Sequence, residues 1–278
     1  MSERIFIDTA VGRLAVIAVG SGTPAVLWHS LFVDERSWQR VVSRLAEDRR
    51  LILITGPGHG HSSDPGHRYD LVQCGRAAGE VLDALGIADP VDWVGNAWGG
   101  HVGMRFATAY PRRTRSLVTL GTPVQPLSAG ERARTLTLLL AFRLLGPVGF
   151  IVDAVVETLL SESTRASDPE AVALVRSSLA DANRRLLRNA VASISLHRED
   201  FAALLPSLAV PTLIITGEQH SGWTPAQAAA AIASVPHGRV AAVPDAAYLV
   251  PLERPDTVVE LVRDFWASTM TEAPGAQR

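Results

Sequence analysis

The sequence predicts an α/β fold: a mostly parallel central sheet with flanking helices and a helical lid inserted between strands six and seven. Three observations point to it. Short apolar runs alternate with longer amphipathic segments through residues 5–120, the rhythm of a parallel sheet covered on both faces. Residues 124–206 then carry helical periodicity with no strand signal. Alternation resumes at residue 207 and runs to about residue 270.

Residues 5–9 and 14–19, separated by Ala10-Val11-Gly12-Arg13, read as an antiparallel hairpin at the sheet edge. The runs 25–29, 51–55, 91–95 and 116–120 read as strands, and helical patterns fill 37–46, 71–85 and 98–110. The last of these stops at Tyr110-Pro111, because proline cannot continue a helix. In the insertion, Ser128-Ala129-Gly130-Glu131 reads as a capping box and Asp168-Pro169 as an N-cap with proline in the first turn. The run 135–142 is apolar nearly all round, as expected of a helix facing both the core and an apolar pocket. Beyond it come a strand at 211–217, a helix at 225–234 capped by Thr224-Pro225, a strand at 239–243 and a helix at 257–266. The expected units are a core of 1–123 and 207–270, a lid of 124–206, and a small, polar, disordered tail at 271–278.

With 278 residues, 47% hydrophobic and 19% charged, the chain can bury one core and carry an insertion. A net charge of −2 gives no basic field to neutralise phosphates, which excludes nucleic acid as the expected partner. No basic segment followed by an apolar run opens the sequence, and no stretch reaches about 18 uninterrupted apolar residues. The expectation is therefore a cytoplasmic protein with no membrane contact. Cys74, the one cysteine, rules out an internal disulfide and a cysteine-based zinc cluster, and all 26 basic side chains are arginine. Lysine Schiff bases and lysine general bases are excluded. His59, His61 and His67 fall in a turn rich in glycine, proline and serine, so they read as surface histidines; no metal and no cofactor is expected.

Four stretches then resemble one family. Leu27-Trp28-His29-Ser30-Leu31-Phe32 resembles the loop after strand three that supplies an oxyanion-hole N–H in the α/β-hydrolase superfamily. Gly56-Pro57-Gly58-His59-Gly60-His61-Ser62 resembles its glycine-rich turn after strand four. Val94-Gly95-Asn96-Ala97-Trp98-Gly99-Gly100 resembles the G-x-S-x-G nucleophile elbow, and residues 243–255 resemble the late loop that carries the catalytic histidine. The resemblance runs from about Ile5 to Trp266 and implies the α/β-hydrolase fold. It also implies a serine, a histidine and a carboxylate at three positions. Here those positions hold Ala97, Tyr248 and His220. One serine-to-alanine change would mark an inactivated variant; three replacements point to a degenerate triad.

The resemblance thus implies a non-hydrolytic, cofactor-free enzyme acting on an apolar small molecule by elimination, cyclisation or isomerisation. A binding or sensor protein is the alternative, and an ester or C–C hydrolase with an unrecognised or engineered-away nucleophile is a third. Tyr248 is expected as proton donor and His220 as its acid/base partner. His29, Ser30, Leu31, Phe32, Asn96, Ala97, Trp98, His101 and Trp223 are expected in the ligand pocket and oxyanion loop. Within that group, His29 reads as shaping the loop and His101 as more a packing residue than a pocket one. Asn96 and Trp98 would present an amide and an indole to a ligand. Ser30 is the one hydroxyl available as a relocated nucleophile, and Glu218 and Asp245 are the carboxylates nearest in sequence to the triad positions.

Overall fold

The computed structural model describes residues 3–63, 65–182, 187 and 189–271. Eight strands form one sheet: β1 (Arg4–Thr9), β2 (Gly12–Val19), β3 (Thr23–Trp28), β4 (Arg49–Ile54), β5 (Val91–Asn96), β6 (Thr114–Leu120), β7 (Thr212–Gly217) and β8 (Gly238–Val243). Their order is β1-β2-β4-β3-β5-β6-β7-β8. The pairs β1/β2 and β2/β4 are antiparallel and the rest parallel. The predicted hairpin closes on Thr9 opposite Gly12. Gly12 takes a φ of +96°, where a side chain would be strained.

β5 and β7 are buried along their whole length, as expected of central strands whose two faces are both covered by helices. One face packs against α2 (Leu71–Ala84), α3 (Trp98–Ala109) and α8 (Pro225–Ile232), with Cys74, Ala77, Phe106 and Ile232 in a shared core. The other packs against α1 (Gln39–Leu45) and α9 (Pro255–Thr271) through Trp38, Leu45, Val262 and Trp266. Asp92 on β5 is sealed in this structure as an ion pair: its Oδ2 meets Arg49 Nε at 2.8 Å and its Oδ1 accepts the Ser116 hydroxyl at 2.6 Å.

Between β6 and β7 lie α4 (Ala129–Leu145), α5 (Gly149–Leu159), α6 (Glu162–Ser167), α7 (Pro169–Asp181) and a π-helical turn, Val191–Ser195. The capping box at Ser128 and the cap at Asp168 both form. Arg40 of α1 pairs with Asp168 and donates to the Leu252 carbonyl at 3.0 Å, tying the insertion to the core. The Phe201 N–H meets the Val124 carbonyl at 2.8 Å, closing the insertion's two ends on each other.

Two expectations need correction. The run 135–142 is not buried on all sides: Leu138 and Leu139 pack inward, but Leu136 and Leu140 are 48% and 55% exposed. A single-layer helix with nothing packed above it must leave one face to solvent, whatever its composition. His59 is buried rather than on the surface, because the glycine turn folds inward over His29 and Trp98. His61 and His67 are exposed. The tail expected at 271–278 lies, apart from Thr271, outside the described residues.

Candidate active site

The turn between β5 and α3 centres on Ala97, whose φ of 49° and ψ of −100° are rare for a residue with a side chain. Glycines make the turn possible. A Cβ at Gly95 would sit 2.2 Å from the Gly99 carbonyl carbon, and one at Gly99 would sit 1.9 Å from the Trp28 carbonyl oxygen. Backbone bonds from Ala97 to the Leu120 carbonyl (2.8 Å) and from Gly99 to the His29 carbonyl (3.2 Å) lock it to β6 and to the loop after β3. α3 starts with no side-chain cap, and the Trp98 N–H has no hydrogen-bond partner among the described residues. A helix N-terminus with unpaired N–H groups favours negative charge.

The loop after β3 is shaped by its histidine. His29 Nδ1 donates to the Ser30 carbonyl at 2.7 Å, and Nε2 accepts the Gly56 N–H at 2.9 Å. Both ring nitrogens are engaged, and burial pushes the pKa down, so His29 is a neutral strut. Phe32 takes a φ of 69° in this loop, and neither its N–H nor that of Leu31 has a partner among the described residues. The Ser30 hydroxyl is fully buried and donates to the Leu31 carbonyl at 3.2 Å, which leaves it no path to attack a substrate.

Across the turn, the Tyr248 ring lies 4.6 Å from the His220 ring, inclined by 32°. His220 Nδ1 accepts the Gly222 N–H at 3.1 Å, so Nε2 carries the proton, and Nε2 is buried with no partner. Burial holds the His220 pKa at about 4 and raises that of Tyr248. Both are neutral hydrogen-bond donors at pH 7. Asn96 anchors this side: its Nδ2 donates to the Leu120 carbonyl at 2.9 Å and to the Tyr248 carbonyl at 3.0 Å. Glu253 anchors the other, its two oxygens accepting the Ala247 and Ser161 N–H groups at 2.9 and 2.7 Å.

Elsewhere the placement differs from expectation. Trp98 points behind the turn into a nest of Trp28, His29 and His59, and a Cβ at Gly56 would strike its ring at 2.2 Å. Its indole therefore packs in the core and offers a ligand only its backbone N–H. The Asn96 amide nitrogen is engaged by two carbonyls. His101 lies on Phe201 at 4.9 Å and donates Nε2 to the Pro123 carbonyl at 2.8 Å; buried, it has a pKa of about 3. Trp223 is buried in the core, 1% exposed. Asp245 and Glu218 are exposed.

A small apolar cavity of about 20 Å³ adjoins the loop, lined by Phe32 together with Leu138, Leu139, Phe142 and Val191 of the insertion. Sequence reasoning did not single out Arg198 or Glu131 as site residues. Yet the Arg198 charge acts on Tyr248 and Glu131, and both charges act on His220. In the sequence Glu131 carries only the signal of a helix cap, and nothing in Leu196-His197-Arg198-Glu199-Asp200 sets one arginine apart from a solvated charge run.

The model of the Alpha/beta hydrolase family matches residues 25–261. The chain belongs to that family. Among curated relatives, this alpha/beta hydrolase is 33% identical to a 2-hydroxy-6-oxo-2,4-heptadienoate hydrolase of Pseudomonas putida, over 41% of this chain and 39% of that one. It is 26% identical to a cis-3-alkyl-4-alkyloxetan-2-one decarboxylase of Shewanella oneidensis, over 98% of this chain and 90% of the relative. Among solved structures it resembles a thermophilic esterase from Thermogutta terrifontis (TM-score 0.88, 25% identity, 96% and 99% coverage). It also shares its fold with the enol-lactonase of Burkholderia xenovorans LB400 (TM-score 0.86, 21% identity, 95% and 100% coverage). In a family of this kind the turn at Ala97 is where the nucleophile elbow lies. No helix among the described residues is long and apolar enough to cross a membrane.

Proposed function

We propose that this chain is a non-hydrolytic, cofactor-free enzyme that performs an elimination, cyclisation or isomerisation on a small, largely apolar molecule. The observation that carries this reading is Ala97, a methyl group held at φ 49° where the family's serine attacks, beside N–H groups of Trp98 and Phe32 that have no partner among the described residues. Loss of the serine or histidine of such a triad costs roughly 10⁶-fold in rate, while oxyanion hole and binding retain about 10³- to 10⁴-fold over water. That remainder suits reactions that build negative charge on oxygen without a covalent intermediate, where preorganised donors stabilise an enolate or alkoxide.

In this reading Ala97, Tyr248 and His220 replace serine, histidine and aspartate. Tyr248 is the proton donor. His220, neutral at a pKa of about 4, supports it by hydrogen bonding and is too weak a base to titrate near pH 7. The helical insertion, residues 124–206, acts as the lid over a core of 1–123 and 207–270, and excludes water from the site. The chain works in the cytoplasm.

A second reading, a ligand-binding protein without turnover, is favoured by one observation: the histidine packed against Tyr248, His220, is held by burial at a pKa of about 4 and is no base near pH 7. Extracting the small molecule that co-purifies with the protein, returning it to ligand-free protein and following its mass separates the two. A mass-neutral or water-loss product supports the enzyme, and an unchanged ligand supports the binder.

A further inference from the structure

Glu253 lies in the short helical turn Val250–Glu253 that follows Tyr248, and it is buried, 4% exposed. Among the described residues no cation pairs with it. Burying a carboxyl group costs free energy unless its oxygens are hydrogen-bonded. Both are, and to two different parts of the molecule. Oε1 accepts the N–H of Ala247, the residue before Tyr248, at 2.9 Å, and Oε2 accepts the N–H of Ser161, at the start of α6 in the insertion, at 2.7 Å.

That pair of bonds belongs to a longer seam. The Leu249 N–H donates to the Leu159 carbonyl at 3.2 Å, and the Ser161 hydroxyl donates to the Asp245 carbonyl at 3.0 Å. Asp245 takes a φ of 53°, rare for a residue with a side chain. Arg254 donates to the Ser163 hydroxyl at 3.2 Å. The Tyr248 side chain packs against the apolar cluster of the insertion, which includes Val155 and Leu159. From the sheet side the same loop is held by Asn96 at the Tyr248 carbonyl and by the Gln219 N–H, 2.9 Å from the Ala246 carbonyl. The backbone of Tyr248 is therefore set by two clamps, one from the sheet and one from the insertion, and the second passes through the Glu253 carboxyl group.

We propose that Glu253 is a positioning residue that couples the insertion to Tyr248. With the insertion seated, the Ser161 N–H orients the carboxyl group, the carboxyl group fixes the Ala247 N–H, and Tyr248 keeps its place. Displacing the insertion breaks that link and releases Tyr248, so the donor is set only when water is excluded from the site. This rests on the proposed role of Tyr248 as donor. Glu253 itself takes no part in bond making.

Two substitutions cut the link from opposite ends. Glu253→Gln keeps the shape but turns a donor toward one of the two backbone N–H groups. Ser161→Pro removes the N–H; the φ of −61° at Ser161 suits proline, and Leu160 before it is extended, as proline requires. Ser161→Ala removes the hydroxyl and keeps the N–H. The protein has three tyrosines, so fluorotyrosine labelling gives three fluorine NMR signals, with that of Tyr248 assigned by Tyr248→Phe. Glu253→Gln and Ser161→Pro each move the Tyr248 signal and leave those of Tyr69 and Tyr110 in place. The double variant moves it no further than the larger single change, as for two ends of one bond, and Ser161→Ala moves it less. In turnover of the co-purified molecule kcat falls on the order of 10²-fold, the cost of a reacting group misplaced by about 1 Å, with KM within about twofold. An unmoved Tyr248 signal, additive shifts, or an unchanged kcat beside a moved signal overturns the coupling. Coupled signals in a protein that leaves its co-purified molecule unchanged keep the link and remove the enzymatic reading; turnover with an unmoved signal does the reverse. If neither substitution folds, amide exchange in the native protein carries the test: one shared opening gives Ala247 and Ser161 equal protection, and unequal protection overturns it.

Discussion

The Tyr248 ring packs 4.6 Å from the His220 ring, and the backbone beneath Tyr248 is held by Asn96 at 3.0 Å. A tyrosine held this way, kept neutral by burial, can donate a hydrogen bond to a developing oxyanion and is no base near pH 7. Tyr248→Phe should lower turnover of the co-purified small molecule by about 10²- to 10⁴-fold, the usual contribution of a positioned acid. His220→Ala should lower it less. Steady-state rates for both variants decide the matter, and unchanged turnover in both removes the pair from the mechanism.

Ala97 carries backbone strain that in this chain serves no side-chain chemistry. Positive-φ strain at a non-glycine residue is on the order of 1–3 kcal/mol, and glycine adds roughly 0.5–1 kcal/mol of unfolded-state entropy. Ala97→Gly should therefore stabilise the protein by about 1 kcal/mol in a denaturant titration and leave turnover unchanged.

Buried histidines set an acid limit. Burial holds His59 and His101 at about 3 and His220 at about 4, all below the unfolded value of 6.5. The folded state therefore disfavours their protonation. Above pH 6.5 both states are neutral and the groups add no pH dependence; as pH falls below 6.5 the unfolded chain takes up protons first and stability is lost, until about pH 3 to 4. Each contributes a loss on the order of a few kcal/mol. His101→Gln keeps a donor for the Pro123 carbonyl and removes the titration, so its stability should fall less steeply across that window.

Asp92 is fully buried and pairs with Arg49, itself stacked 4.5 Å over the Trp266 ring. Asp92→Ala leaves Arg49 uncompensated. A loss of about 3–5 kcal/mol in unfolding free energy is expected, with no change in the environment of Tyr248 as read by ligand affinity.

The frame of this site was legible because sterics demand it. Gly95 and Gly99 stand where a single Cβ would collide with backbone, so they persist whether or not a nucleophile stands between them. Capping signals at Ser128, Asp168 and Thr224 were equally readable, since each satisfies N–H groups within its own first turn. What could not be read depends on contacts distant in sequence. Whether Trp98 faces a ligand or Gly56 is decided by the β4 turn 42 positions earlier (98 − 56). The burial of His59 depends on His29. The exposed half of 135–142 depends on the absence of a layer above it among the described residues, which composition does not encode.

In the proposed function the chain keeps an elbow and oxyanion donors without hydrolytic chemistry. The most direct measurement is hydrolysis of p-nitrophenyl butyrate by the native protein, set beside the triple variant Ala97→Ser, His220→Asp, Tyr248→His. The expected result is no hydrolysis by the native protein above the uncatalysed background by more than the residual of about 10³- to 10⁴-fold. Native turnover at ordinary enzymatic rates, about 1–10³ per second, would contradict it.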